Sequence, residues 1–310
     1  MPKDLHILPK IRDSLTYLYI DKAVIEQDDS SIVALRGESR IPIPIAAMTV
    51  LLLGPGTTIT HAAVKNITDS GCVAVWCGEN FARMYAFGHG ETRSSKNLLQ
   101  QAKMCMDDEL HMQVVYRMYA IRFPNMKTEG MTLQQVRGLE GIRVREAYKQ
   151  AARINGVKWQ KRNYKTDTWD DNDPINKAIS YANTILYAVC EGAILSLGYS
   201  SGLGFIHTGK MLSFVYDIAD LYKASVTIPA AFEAVASGNS DYQTEIRRRV
   251  RKYLVSQKVL ARIPSDIDYL LANTSEKADI NNLSAGTLWD IGSGEIPGGK
   301  NYSGTETNEW

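Results

Sequence analysis

Two segments carry side chains that could do chemistry. In the first, the turn Gly204-Phe205-Ile206-His207-Thr208-Gly209-Lys210 feeds a helix expected over 211–224. On it, Phe214, Ile218 and Leu221 form one apolar face and Leu212, Val215, Ala219 and Tyr222 another, so the helix is apolar nearly all round. Asp217 and Asp220 interrupt it on one side at i,i+3 spacing. Carboxylates beside a mostly buried helix must find cations, hydrogen-bond donors or a metal. His207 lies in the preceding turn, placed to fold back over that helix. In the second segment, Arg137-Gly138-Leu139-Glu140-Gly141-Ile142-Arg143-Val144-Arg145, two glycines flank one carboxylate within a helix. Each glycine costs about 1 kcal/mol against alanine, which predicts a close approach to the backbone there. Glu140, His207 and Asp220 together form a mixed oxygen and imidazole donor set suited to Mg²⁺ or Mn²⁺, with room for water and phosphate oxygens.

Each of these residues also has a plainer reading. Glu140 has Arg137 and Arg143 at i,i+3 spacing, enough for an ordinary surface ion pair. His207 fits a satisfied turn histidine, and Asp220 has Lys223 one turn on. No HExxH, Walker loop, GxSxG or nucleotide-binding glycine motif occurs elsewhere in the chain.

Aromatic and cationic residues interleave through the same half. Trp159, Arg162, Asn163, Tyr164 and Trp169 fall in a loop, and Tyr187, Glu191 and Tyr199 on or just after the next helix. Arg247, Arg248, Arg249, Arg251 and Lys252 form a cluster. Rings that stack on bases and guanidinium groups that clamp phosphate suit single-stranded DNA or DNA ends, whereas the plain alternative is core tyrosines and a solvated charge run. The net charge of +1 over 310 residues conceals a basic middle: residues 91–274 hold 25 Lys and Arg against 19 Asp and Glu, while residues 275–310 hold 2 against 6. A local positive excess of this kind suits a polyanion-binding surface and equally a solvated one.

The elements that must position these groups divide the chain into an α+β protein. Residues 1–90 read as a β domain, with strands at 15–20, 23–25 and 31–35. Pro42 and Pro44 remove two donors from one side of an Ile41–Ile45 strand, which belongs at an edge. A buried strand over 48–53, a short helix from Thr60 to about Ser70, and strands at 73–76 and 83–87 complete the sheet. From Gly88-His89-Gly90-Glu91 onward the apolar period changes from 2 to 3.6, beginning with Leu99, Ala102, Met106, Leu110, Val114, Met118 and Ile121. Residues 91–274 therefore read as an all-helical catalytic domain, with further helices at 132–154, 173–198, 227–237, 241–256 and 264–273. Residues 275–310, with six glycines and many Ser and Asn, read as a flexible acidic tail. The four cysteines are too sparse for a disulfide framework and read as small buried hydrophobes. The longest apolar stretch, 41–53, is too short to span a membrane, and the first residues lack a secretory apolar core. Both point to a cytoplasmic protein.

Taken together, Arg137–Gly141, Gly204–Lys210 and Leu212–Asp220 closely resemble the CRISPR-associated protein 1 family, the spacer-acquisition integrases, in their type I-E branch. Gly54-Pro55-Gly56-Thr57, His61–Val64 and Val226–Phe232 fit as well, so the resemblance covers roughly residues 10–272. It implies a homodimer formed through the β domains, two such dimers flanking a dimer of CRISPR-associated protein 2. It also implies a protospacer substrate, double-stranded DNA with single-stranded 3′ ends, inserted into leader-repeat DNA by attack of a 3′-hydroxyl on a phosphodiester. By this resemblance Glu140, His207 and Asp220 are metal ligands and Asp217 is the acidic group that supports them. Tyr164, Tyr187, Lys210, Tyr216 and Arg247 fall where relatives contact DNA, with Arg137, Arg248 and Arg251 as neighbouring candidates. Tyr17 and Tyr19 are candidates for an aromatic that splits the duplex end. A general nuclease on branched DNA and a noncatalytic DNA-binding scaffold are the alternatives.

Overall fold

The computed structural model describes residues 17–78, 84–90, 95–124, 131–162, 173–239, 241–272, 287–290 and 294–297. An N-terminal β region precedes a mostly helical part, as expected. The chain forms β1 (Tyr17–Ile20), β2 (Val24–Asp28), β3 (Ser31–Arg36), β4 (Ser39–Ile43), β5 (Val50–Leu53), β6 (Thr58–Ile59), α1 (His61–Asp69), β7 (Val73–Cys77) and β8 (Met84–Gly88). These make two four-stranded sheets, ordered β1-β5-β7-β8 and β4-β3-β2-β6. In the first sheet β1, β5 and β7 are parallel and β8 turns back antiparallel. In the second, β2, β3 and β4 form an antiparallel meander. The proline-bearing β4 lies at the edge, as two missing donors require. It ends at Ile43, two residues before the expected Ile45, and Ile45–Ala47 form a 3₁₀ turn.

Strand alternation explains how the β region joins the helices. Leu51 and Leu53 of β5 face one way, into a small core with Ile25, Ile32, Ile43, Ala63 and Ile67. Val50 and Leu52, with Val73 and Val75, face the other way into the larger helical core. A sheet buried on both faces calls for an uninterrupted apolar run, and β5 reads Val-Leu-Leu-Leu.

The helical part comprises α2 (Lys96–Met106), α3 (Asp108–Arg122), α4 (Leu133–Asn155), α5 (Pro174–Ser196), α6 (Ser213–Asp220), α7 (Thr227–Ala236), α8 (Tyr242–Ser256) and α9 (Val259–Leu270). The apolar stripe from Leu99 to Ile121 is broken at Asp107, whose side chain caps α3 through the amides of Glu109 and Leu110. The long α4 opens with a Thr132/Gln135 capping box and closes on left-handed Gly156. Helix α9 begins at Val259, well before the expected start, and carries Pro264 inside it. Helix α5 is the axis of the core, packed against α6, α7, α8 and α9 and also β5 and β7. Among the described helices it alone is long and apolar enough to cross a membrane, exceeding the apolar stretch at 41–53, yet it is mostly buried inside the protein. Glu191 lies buried on α5, and burial alone pushes its carboxyl up to about 7. Cys72, Cys77 and Cys190 are buried free thiols and Cys105 is half-buried.

Within the glycine-rich tail, β9 (Thr287–Asp290) and β10 (Gly294–Pro297) pair antiparallel, so these residues form a hairpin that composition did not signal. Tyr17 and Tyr19, the candidate duplex-splitting residues, are half-buried and pack against the large core.

The contact between α5 and β5 is close enough to test. A Cβ at Gly192 would stand 2.7 Å from both methyl groups of Val50. Gly192→Ala is expected to destabilise the protein by about 1–3 kcal/mol through overpacking, despite the better helix propensity of alanine. Thermal denaturation checks this, and adding Val50→Ala is expected to recover much of the loss by making room.

Candidate active site

The site is built from the ends of α3 and α6, the middle of α4, and the turn before α6. That turn is shaped by one buried anion. Asp217, fully buried on α6, accepts the backbone amides of Phe205 (2.6 Å), Ile206 (3.1 Å) and His207 (2.9 Å). It also bonds His207 Nδ1 at 2.7 Å. Three successive amides and an imidazole compensate the desolvation of the charge. The turn can fold this tightly because residue 204 is glycine: a Cβ there would lie 2.2 Å from the His207 carbonyl oxygen and 2.7 Å from Ser213. A second histidine ties the turn to the rest of the protein, as His111 on α3 reaches the Cys105 and Phe205 carbonyls at 3.0 and 2.8 Å.

With Nδ1 on Asp217, His207 turns Nε2 toward Asp220, 4.0 Å from Oδ2. Asp217 and Asp220 thus divide their work despite the shared side of the helix: Asp217 is buried behind the histidine as a positioning residue, and only Asp220 faces the cleft. Glu140 reaches the same cleft from α4. Its partner is neither Arg137 nor Arg143 but Arg122 at the end of α3. The same Arg122 Nη2 lies 3.7 Å from Asp220 Oδ2, so one guanidinium stands between the two carboxylates. The pairing of Asp220 with Lys223 is also present, with Nζ 2.5 Å from Oδ1. Asp220 Oδ1 is otherwise buried, so this ion pair is what compensates it. Burial works against the Lys223 ammonium, but Asp220 and Tyr187 outweigh it and lift the group to about 12.

The cleft has a volume of about 1180 Å³. Glu140, His207 and Asp220 share its wall with Arg122, Arg162, Lys210 and Lys223. Two carboxylates and an imidazole beside four cations can hold a divalent ion and receive a phosphate. Among the described residues no three His, Cys, Asp or Glu side chains are already gathered as a metal cage; Arg122 and Lys223 stand among the carboxylates instead. Among the described residues, none packs closely on Gly138 or Gly141: a Cβ at either would meet none of their atoms within 4 Å.

Residues 127–263, the stretch holding Glu140, His207, Asp217 and Asp220, match the family model described as CRISPR associated protein Cas1. The CRISPR-associated endonuclease Cas1 2 of Thermus thermophilus is 44% identical over 312 residues, covering 99% of this chain and 96% of that protein. This chain belongs to the Cas1 family. The CRISPR-associated endonuclease Cas1 of Clostridium sp. is 40% identical over 299 residues, covering 96% of this chain and 98% of that one. A crystal structure of a TtCas1-DNA complex is similar at a TM-score of 0.72 and 47% identity, over 86% of this chain and 100% of its own.

Of the DNA contacts that resemblance to Cas1 proteins implied, Tyr187, Lys210 and Tyr216 line the cleft. Tyr216 packs edge-on against both Tyr187, at 5.0 Å, and His207, at 5.7 Å. Arg137 is exposed on α4 and does not line the cleft, and neither do Arg247, Arg248 or Arg251 on α8. Arg248 is engaged within its own helix by Glu245, whose carboxyl the hydrogen bond holds down at about 2. Arg247 bonds the neutral Thr244 hydroxyl. Tyr164 lies outside the described residues. Arg122 escaped the sequence reading because a single arginine at the end of an amphipathic helix belongs to no motif. Arg162 was noted only as part of an aromatic and basic loop.

The hydrogen bond to Asp217 raises His207 above its ordinary 6.5, with burial opposing and Asp220 reinforcing. A raised folded value means the imidazolium contributes stability fully below the unfolded value near 6.5 and loses it as pH rises through the folded value. In EDTA, the Tm deficit of His207→Asn is expected to be largest below pH 6.5 and to shrink at higher pH. A deficit constant from about pH 5.5 to 9 contradicts a charge-assisted bond.

Proposed function

We propose that this protein is a spacer-acquisition integrase of the type I-E branch, joining protospacer DNA to a CRISPR array with Mg²⁺ or Mn²⁺ held by Glu140, His207 and Asp220. The observation that carries this reading is the convergence of those three side chains on one cleft, with His207 aimed by a buried Asp217. The carboxylates of Glu140 and Asp220 and the Nε2 of a histidine whose Nδ1 is already committed are donors of the kind a divalent ion takes. When bound, the ion supplies Lewis-acid stabilisation of the phosphoryl oxygens and lowers the pKa of the attacking hydroxyl.

The chain's own residues do the rest. Asp217 keeps the proton of neutral His207 on Nδ1 and leaves Nε2 open toward the cleft. Lys210 places a positive charge on the rim for a phosphate, and Tyr187 and Tyr216 offer ring faces and edges to unpaired bases near the reacting strand. The 3′-hydroxyl oxygen of the incoming strand bonds to phosphorus while the 3′-oxygen of the cut strand departs and takes up a proton. One phosphodiester replaces another, and no covalent bond to the protein forms. The same site run backwards on branched DNA resolves it, and with water as nucleophile it cuts.

DNA with single-stranded 3′ ends and leader-repeat DNA are the proposed substrates, consistent with the DNA complex of the TtCas1 relative. The same proposal includes a homodimer through residues 1–90, with a dimer of CRISPR-associated protein 2 between two such dimers in the cytoplasm. Edge strand β8 leaves Tyr85 65% and Phe87 45% exposed, an apolar edge that a second copy would cover.

The test is disintegration of synthetic branched DNA by the protein alone, with Mn²⁺ or EDTA. Asp220→Ala and His207→Ala are each expected to lose on the order of 100-fold or more in strand-transfer rate while keeping DNA binding. Retention of wild-type rates in both variants, or equal rates in EDTA, contradicts the proposed site.

A further inference from the structure

Arg122 is the residue that neither the sequence reading nor the proposed chemistry accounts for. It is nine-tenths buried, and its Nη2 contacts Glu140 Oε1 while standing 3.7 Å from Asp220 Oδ2. Its guanidinium lies over the rings of Tyr119 and Phe123, 5.7 and 5.9 Å from their centroids, which holds it at the mouth of the carboxylate pair. Of these two carboxylates, Lys223 pairs with Asp220. Without compensation, Glu140 and Asp220 would repel one another in a partly buried cleft. A guanidinium, always charged and planar, is the side chain best suited to prevent this.

We propose that Arg122 is an internal counter-cation, which occupies the place between Glu140 and Asp220 in the metal-free protein and competes there with the divalent ion. This rests on the metal assignment above. Arg122 Nη2 faces one oxygen of each carboxylate, so an ion held by Glu140 and Asp220 would compete with the guanidinium for those oxygens. The ring contacts to buried Tyr119 and to Phe123, which lines the same cleft, give the displaced guanidinium somewhere to remain. There an incoming phosphate replaces the carboxylates as its anion. Arg122 thereby couples metal entry to DNA arrival: the metal releases the guanidinium, and the phosphate keeps it released.

Competition has the opposite sign from structural damage, which makes it testable by metal affinity. Mn²⁺ binding to the full-length protein without DNA, followed by electron paramagnetic resonance, is compared among wild type, Arg122→Gln, Arg122→Met and Arg122→Lys. Loss of the charge in Arg122→Gln is expected to tighten Mn²⁺ binding about tenfold. Arg122→Met, which retains apolar packing on the two rings, is expected to tighten it likewise, while Arg122→Lys stays near wild type. Thermal melts should agree: in EDTA the Gln variant melts below wild type, and saturating Mn²⁺ raises its Tm by more than it raises the wild-type value. Equal or weaker Mn²⁺ binding in both uncharged variants overturns the proposal while leaving the metal site in place. Wild-type Mn²⁺ binding by Glu140→Ala overturns the metal assignment itself, and this proposal with it.

Discussion

The site depends on one buried carboxylate. Asp217 takes three consecutive amides of the 205–207 turn and the Nδ1 of His207, and so determines both the path of the turn and the direction of the imidazole. A charge buried this deeply is tolerable only when its oxygens are fully hydrogen-bonded. Here the groups that satisfy it are the same groups that must be placed for chemistry. Stabilisation of the turn and orientation of the histidine are a single set of bonds. The remaining parts follow from it: Gly204 makes room for the turn, His111 ties it to α3, and α3 delivers Arg122 to the carboxylates.

The helical half and the β half share a core through α5 and the doubly buried β5. This places the chemistry on packed helices: α6 lies against α5, α4 against α7, and α3 against α2 and α9. Charge around the cleft is arranged in opposed pairs, with Arg122 and Lys223 against Glu140 and Asp220. The carboxylates are thus balanced within the chain itself, and exchange of one cation for another becomes a natural way for such a cleft to change state.

Much of this arrangement was legible in the sequence. The change of apolar period near residue 90 marked the passage from sheet to helix, the proline pair placed β4 at an edge, and the family resemblance was carried by segments that do meet in space. The approach of Glu140 to His207 and Asp220 rests on the 3.6-residue period bringing distant helices together, which a sequence states only through resemblance. Two features were not legible. Spacing of i,i+3 puts Asp217 and Asp220 on one side of a helix but does not say that one faces inward toward the preceding turn and the other outward. Arg122 acts through tertiary placement alone, 18 residues from Glu140 and 98 from Asp220, with no local pattern to distinguish it. The glycines flanking Glu140 were expected to admit close packing, yet no described residue approaches them.

The central claim is that a buried Asp217 aims His207 into a divalent-ion site completed by Glu140 and Asp220. Anomalous diffraction from crystals soaked in Mn²⁺ addresses it directly. The account predicts one strong anomalous peak among Glu140, His207 Nε2 and Asp220, with His207 Nδ1 still on Asp217 and Arg122 withdrawn from between the carboxylates. A peak at another cluster, or a His207 turned off Asp217 with no ion beside Glu140 and Asp220, would contradict it.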